Sequence, residues 1–225
     1  MASLRTRAAA GLVNLAGVVW LALFASAGTL RFWQAWVYWA LFVGTSLVAT
    51  LFFLRSDPGL VESRMKAGPL AERRTSQKLI QAVAGLSFVG LLVVPGLERR
   101  LRGASFPPAA AWLGDLGVVG GFAIMCVAMR ANSFASSTIE VQASQRVISS
   151  GLYGFVRHPL YTGGLLMFAA TPLALASWWG FALVPPMCIA ITARLLDEER
   201  LLARELPGYA DYCAKVRSRL IPGVW

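Results

Sequence analysis

Long apolar runs alternate with short polar, mostly basic segments along this chain. Ala8 to Leu30 holds no charged residue and reaches the roughly 20 residues a membrane-spanning helix needs. Phe32 to Leu54 repeats the pattern and opens with Trp33, Trp36, Tyr38 and Trp39, an aromatic cluster suited to a membrane interface. Leu79 to Leu97 predicts a third span. Ala111 to Met129 predicts a fourth, with Asp115 near its start. His158 to Ala193 then runs 36 residues without Asp, Glu, Lys or Arg. As a single helix that run would be about 54 Å long at 1.5 Å per residue, too long for a 30 Å hydrocarbon core. A tight hairpin turning near Ser177 to Gly180 fits better. Pro172 and Pro185-Pro186 are placed to kink its arms.

The intervening segments predict loops. Arg55 to Lys78 is basic, with a turn signal at Asp57-Pro58-Gly59. Glu98 to Pro108 reads as a second loop, and Arg130 to Arg157 is too polar to span. Arg194 to Trp225 forms a charged, partly helical tail. Placing the N-terminus inside puts 17 Lys and Arg on the inner segments and four on the outer ones. Both termini, and the two polar segments that bracket the hairpin, are therefore expected on the cytoplasmic face.

Composition agrees with this pattern. Of 225 residues, 57% are hydrophobic and 14% charged, against about 25% charged in soluble domains. The expected fold is an all-α polytopic membrane protein with five or six transmembrane helices, a C-terminal helical hairpin and a cytoplasmic cofactor pocket. The chain divides into N-terminal transmembrane helices over 1–130 and a core over 131–225. The net charge of +10 is read as basic loops against anionic lipid, with membrane lipids as partners and no nucleic acid. One histidine, His158, and three scattered cysteines supply no metal site and no disulfide framework.

Chemistry-bearing residues gather at the two ends of the hairpin. Gly151 to Gly164 contains Tyr153, Arg157, His158, Pro159 and Tyr161. Proline favours the first turn of a helix, so Pro159 opens the first arm, and its N-terminal dipole suits a carboxylate. Gly163 and Gly164 would allow a ligand or a neighbouring helix to come close. At the far end, Arg194 and Glu198 lie four apart on one helical face, followed by Glu199. The competing view of both clusters is a set of snorkelling or solvated charges in a lipid-binding or structural membrane protein. No phosphate-binding loop and no Gly-x-Ser-x-Gly elbow is present.

The pattern Gly151-x-Tyr153-x-x-x-Arg157-His158-Pro159-x-Tyr161-x-Gly163, followed by Arg194-x-x-x-Glu198-Glu199, Tyr209-x-x-Tyr212 and Pro222, resembles the isoprenylcysteine carboxyl methyltransferase family. Related membrane phospholipid methyltransferases share the general pattern. The likeness covers roughly Asn132 to Trp225. It implies an integral membrane enzyme that uses S-adenosylmethionine. It further implies cofactor contacts at Gln145, Arg146, Val147 and Ile148, at Tyr153, at His158, Pro159, Leu160 and Tyr161, and at Glu198 or, by a one-residue shift, Glu199. Arg194 is implied to meet the substrate carboxylate, with Arg157 in the same catalytic network. The place where the family presents an amide falls on Thr138 or Glu140.

The residue inventory suits that chemistry. A carboxylate acceptor is ionised at neutral pH, so methyl transfer to it needs alignment and exclusion of water more than a base. The expected acceptor is a lipid-like or prenylated carboxylate, and the oligomeric state is left open. Phospholipid N-methylation is the first alternative, and an NADPH-dependent membrane reductase the second.

Overall fold

The computed structural model describes residues 3–65, 72, 74–103, 106–135 and 145–225. The elements among the described residues are helices, without strands. Three long helices come first with a short one between: α1 (Leu4–Ala27), α2 (Trp33–Ser56), α3 (Pro58–Met65) and α4 (Thr75–Arg102). After α5 (Pro108–Ala131), the hairpin consists of α6 (Pro159–Ala174) and α7 (Val184–Glu205), and a short α8 (Tyr209–Lys215) follows. Among the described residues, five helical stretches are long and apolar enough to cross a membrane: α1, α2, α4, α5 and Trp179–Glu205, which joins a 3-10 turn to α7. With 16 residues, α6 is about 24 Å long and falls short of a full span.

Three local expectations change. Glu98 to Arg102 continues α4 and is not loop. Asp57-Pro58-Gly59 does not merely turn the chain. Asp57 Oδ1 accepts the Leu60 N–H at 3.0 Å, and Pro58 occupies the first position of α3, where its missing N–H costs nothing. Pro185 and Pro186 likewise sit in the first turn of α7 and start that helix; they do not kink it.

Apolar packing alone discriminates little between helices in lipid, so close backbone approach and interhelical hydrogen bonds matter more. Both hold the hairpin. Along α5, Gly114, Gly117 and Gly121 meet Ala174, Ala170 and Gly163 of α6. A Cβ at Gly121 would lie 2.5 Å from Gly163 O, and one at Gly163 would lie 2.6 Å from Gly121 O. Glycine at both positions is what lets the two backbones touch. Tyr38 of α2 shares a 3.2 Å hydrogen bond with Thr171 of α6, and Trp39 Nε1 donates to Ala16 O of α1 at 2.9 Å. Around these contacts a core forms from Leu23, Phe24, Phe42, Leu92, Val118 and Met167.

The hairpin turn is fixed by a buried carboxylate. Glu98, at the end of α4, accepts from Ser177 Oγ at 2.6 Å and from the Trp179 N–H at 3.0 Å. Ser177 Oγ in turn accepts the Gly180 N–H at 2.9 Å. Ala176, between them, adopts a left-handed φ of 53° that only a firmly held turn tolerates in a residue with a side chain. With the turn pinned at one end of the bundle, the start of α6 and the end of α7 come together at the other. That second end also carries α3 and the start of α4, since Arg7 pairs with Glu62 and Gln77 bonds Asp197.

The Gly121–Gly163 contact is directly testable. Gly121→Val should force α5 off α6 and cost about 1–3 kcal/mol. Gly120→Val should be much milder, because its new Cβ meets nothing nearer than 3.8 Å. Thermal unfolding of the two variants in one detergent makes the comparison; equal losses would show that the contact carries no special weight.

Candidate active site

A polar recess opens where α5 ends, α6 begins and α7 leaves its apolar stretch. Its empty volume, counted out to the mouth, is about 840 Å³.

Local sequence builds the floor. Gly151 takes a left-handed φ of 59°, starting a single 3-10 turn over Gly151–Gly154 that buries Tyr153. The Tyr153 carbonyl accepts from Tyr212 Oη at 2.8 Å, and its phenol oxygen accepts from Asn132 Nδ2 at 3.3 Å. Burial pushes the Tyr153 phenol up to about 12, so it stays protonated at neutral pH. His158 forms the N-cap of α6 and Pro159 its first residue. The C-terminal tail runs alongside: Arg157 N–H donates to Ser218 O and His158 N–H to Arg219 O, both at 3.0 Å, and Thr162 Oγ1 donates to Leu220 O at 2.9 Å.

The two adjacent glutamates of α7 turn to different partners. Consecutive helical residues point about 100° apart. Glu199 is buried against three basic side chains: Arg219 Nε donates to its Oε2 at 2.9 Å, His158 Nε2 lies 3.2 Å from its Oε1, and so does Arg157 Nε. The Arg157 contact is ionic and lacks hydrogen-bond alignment. Glu198 faces the recess, where Tyr161 Oη donates to its Oε2 at 2.5 Å.

A third polar group joins α7 to α4. Arg194 donates to Glu72 Oε1 at 2.8 Å and to Gln77 Oε1 at 3.0 Å. Gln77 Nε2 continues the chain to Asp197 Oδ2 at 2.6 Å, and Gln81 Nε2 reaches Glu72 at 3.2 Å. The Arg194 guanidinium is thus held in one orientation at the edge of the recess.

The sequence-predicted residues fall into two groups. Gln145, Arg146, Val147, Ile148, Tyr153, Arg157, His158, Leu160, Tyr161, Arg194 and Glu198 line the recess together. Pro159 and Glu199 do not line it: the first starts α6 and the second faces the Arg157–His158–Arg219 cluster. Thr138 and Glu140 lie outside the described residues. Several contributors carried no sequence signal. Glu72 and Gln77 sit far from the motif, Arg219 lies in the tail, and Asn132 closes α5. Tyr209 and Tyr212 belong to the motif, but their positions in the wall were not foreseeable. The buried Tyr209 hydroxyl has no hydrogen-bond partner among the described residues. A buried hydroxyl left in that state calls for a ligand or water at the site. The donor set therefore suits a polar guest bearing both positive and negative charge: a carboxylate at Glu198, arginines at the rim, an orphaned hydroxyl and the N-terminus of α6.

Residues 109–207 match the family model described as phospholipid methyltransferase. This is the family of membrane methyltransferases that includes the isoprenylcysteine carboxyl methyltransferases, and its members generally use S-adenosylmethionine. The match spans α5, α6, α7 and the segment that floors the recess, and ends before α8 and the tail. No curated protein matches the chain.

The division between the glutamates sets an expectation. Glu199→Gln should lower stability by about 1–3 kcal/mol, because it leaves the partly buried Arg157 and Arg219 without their counter-charge. The exposed Glu205→Gln should stay within about 0.5 kcal/mol. Unfolding in detergent reads both; a Glu199 variant as stable as the Glu205 one would remove the cluster from its framing role.

Proposed function

Starting from the match of residues 109–207 to the phospholipid methyltransferase family, we propose that this integral membrane methyltransferase acts on the carboxylate of a lipid-like or prenylcysteine substrate. The methyl donor in this reading is S-adenosylmethionine, which supplies an activated methyl on a sulfonium. The observation that carries the proposal is the meeting of Tyr161 and Glu198, from the two arms of the hairpin, in the wall of one recess. The excess of basic residues on the segments around it supports a cytoplasmic site in this reading.

Each residue then has a task that its surroundings support. Glu198 offers a negative charge to the sulfonium side of the cofactor, and its bond to Tyr161 holds it in place. The first turn of α6, after Pro159, offers backbone N–H groups and a positive dipole end to the cofactor carboxylate. Gln145 to Ile148 and Tyr153 give it a floor, and the Tyr209 hydroxyl one further polar contact. His158, through Glu199, fixes the start of α6 against the tail and α7. Arg194 holds the acceptor carboxylate, oriented beforehand by Glu72 and Gln77. Arg157 adds positive charge at the same wall. No group has to remove a proton, because the acceptor is already ionised.

N-methylation of a phospholipid is the second reading, and the family description favours it. An amine acceptor must first lose a proton. His158, the obvious base, is already engaged with Glu199.

Transfer of labelled methyl from S-adenosylmethionine to a short prenylcysteine acid and to phosphatidylethanolamine, side by side in detergent, separates the two. The expected result is labelling of the carboxylate; labelling of phosphatidylethanolamine alone would overturn the acceptor assignment. Arg194→Ala should lower kcat/KM about a hundredfold while sparing S-adenosylhomocysteine binding. Tyr161→Ala or His158→Ala should weaken that binding about tenfold. Unchanged cofactor affinity and turnover in all three variants would refute the site assignment.

A further inference from the structure

The end of the bundle that carries the hairpin turn holds a buried polar cluster of its own, remote from the recess. Two helical stripes face each other there. On α2, Gln34, Tyr38 and Phe42 are spaced four apart; on α5, Asp115, Val118 and Phe122 are spaced three and four apart. Such spacings put each trio on one side of its helix. Ring contacts set the register: Trp33 lies 5.5 Å from Trp112, and Phe42 lies 5.2 Å from Phe122, centroid to centroid. The two helices run in the same direction between those contacts. At about 1.5 Å per residue, Asp115 lies about 4.5 Å past the first contact, between Gln34 at about 1.5 Å and Tyr38 at about 7.5 Å. Helix α6 closes the third side. Gly114 meets Ala174, and Tyr38 shares its 3.2 Å hydrogen bond with Thr171, one turn away.

The hydroxyl protons in this cluster are already committed. Thr171 Oγ1 donates to Met167 O at 2.9 Å, so its bond with Tyr38 takes the tyrosine's proton. Neither hydroxyl is left to donate to a neighbour. Three buried oxygens have no hydrogen-bond partner among the described residues: Gln34 Oε1 and both carboxylate oxygens of Asp115. Gln34 and Asp115 are each only 3% exposed. None of the ion pairs among the described residues involves Asp115. A carboxylate so placed inside a membrane bundle is costly and marks a functional site. The surplus consists of acceptors, which calls for a positive guest. A single proton on Asp115 would make one hydrogen bond and leave one of the three oxygens unpartnered. A metal cation takes all three. One carboxylate among neutral oxygens balances one positive charge, whereas a divalent ion would bury an uncompensated charge. Donors that are all oxygen favour a hard cation over a soft one.

We propose that Asp115, Gln34 and Tyr38 form a binding site for a monovalent alkali cation such as sodium, which ties α2 to α5 and α6 at the end of the bundle opposite the recess. Asp115 supplies the charge, and Gln34 Oε1 and Tyr38 Oη supply neutral oxygens. Thr171 orients Tyr38 by accepting its proton, which leaves the phenol lone pairs for the ion. The site is separate from methyl transfer and rests on the packing of the bundle alone.

The experiment compares thermal unfolding of the full-length protein in detergent, in sodium chloride and in N-methylglucamine chloride at equal ionic strength. Sodium at about ten times its dissociation constant should raise the unfolding temperature by about 3–6 °C, and the effect should saturate. Asp115→Asn keeps the shape and removes the charge, so it should unfold at one temperature in both salts. Gln34→Leu should raise the half-saturating sodium concentration about tenfold. The exposed Glu205→Gln should keep the full sodium shift. Equilibrium binding of radioactive sodium should be saturable in the wild type and absent in Asp115→Asn. The wild-type arm and Gln34→Leu decide the matter even where Asp115→Asn does not fold. Equal unfolding temperatures of the wild type in both salts, the result expected of an Asp115 that simply holds a proton, would overturn the site. So would a sodium shift that persists in Asp115→Asn, or a lack of saturable sodium binding to the wild type.

Discussion

Two neighbouring carboxylates on one helix, turned in different directions, organise the site. Glu199 draws Arg157, His158 and Arg219 together and so ties the start of α6, the end of α7 and the C-terminal tail into one frame. Glu198, one residue earlier, is left facing the recess with Tyr161. A carboxylate taken from water is tolerated only when charge and hydrogen bonds replace the lost hydration. The Glu199 cluster meets that condition from within the protein. The recess, with its orphaned Tyr209 hydroxyl, has bonding capacity left for a guest.

The frame works because the far end of the hairpin is equally constrained. Glu98 bonds both Ser177 and the Trp179 backbone, which fixes the turn against α4. Glycines of α5 and α6 then bring the two helices into backbone contact. The apolar middle of the bundle transmits this geometry without contributing chemistry. The polar belt from Arg194 through Gln77 to Asp197 completes the connection to α4, so four separate parts of the chain meet around one cavity.

Much of this was legible in the sequence because lipid imposes simple rules. Charge-free runs marked the spans, and the 36-residue run was too long for one helix and too short for two spans with a turn. The turn fell where Ser177 to Gly180 suggested. The residues lining the recess between Gln145 and Tyr161, with Arg194 and Glu198, lie within two short stretches that a motif can capture. What escaped was long-range. Nothing local tells Glu72 and Gln77 that they will meet Arg194, or Arg219 that it will meet Glu199. The mostly charged segment 98–102 looked like loop, yet Glu98 is buried in a helix because its partners lie some 80 residues away in the hairpin turn. The choice between Glu198 and Glu199 also depended on which way one helix is rotated, and periodicity alone did not fix that.

Ultraviolet cross-linking with S-adenosylmethionine labelled in its methyl group, followed by peptide mapping, tests the central claim most directly. The account predicts label within 145–161 or 198–212, abolished by excess S-adenosylhomocysteine and strongly reduced in Glu198→Gln. Label confined to the remaining helices, or insensitive to S-adenosylhomocysteine, would contradict it.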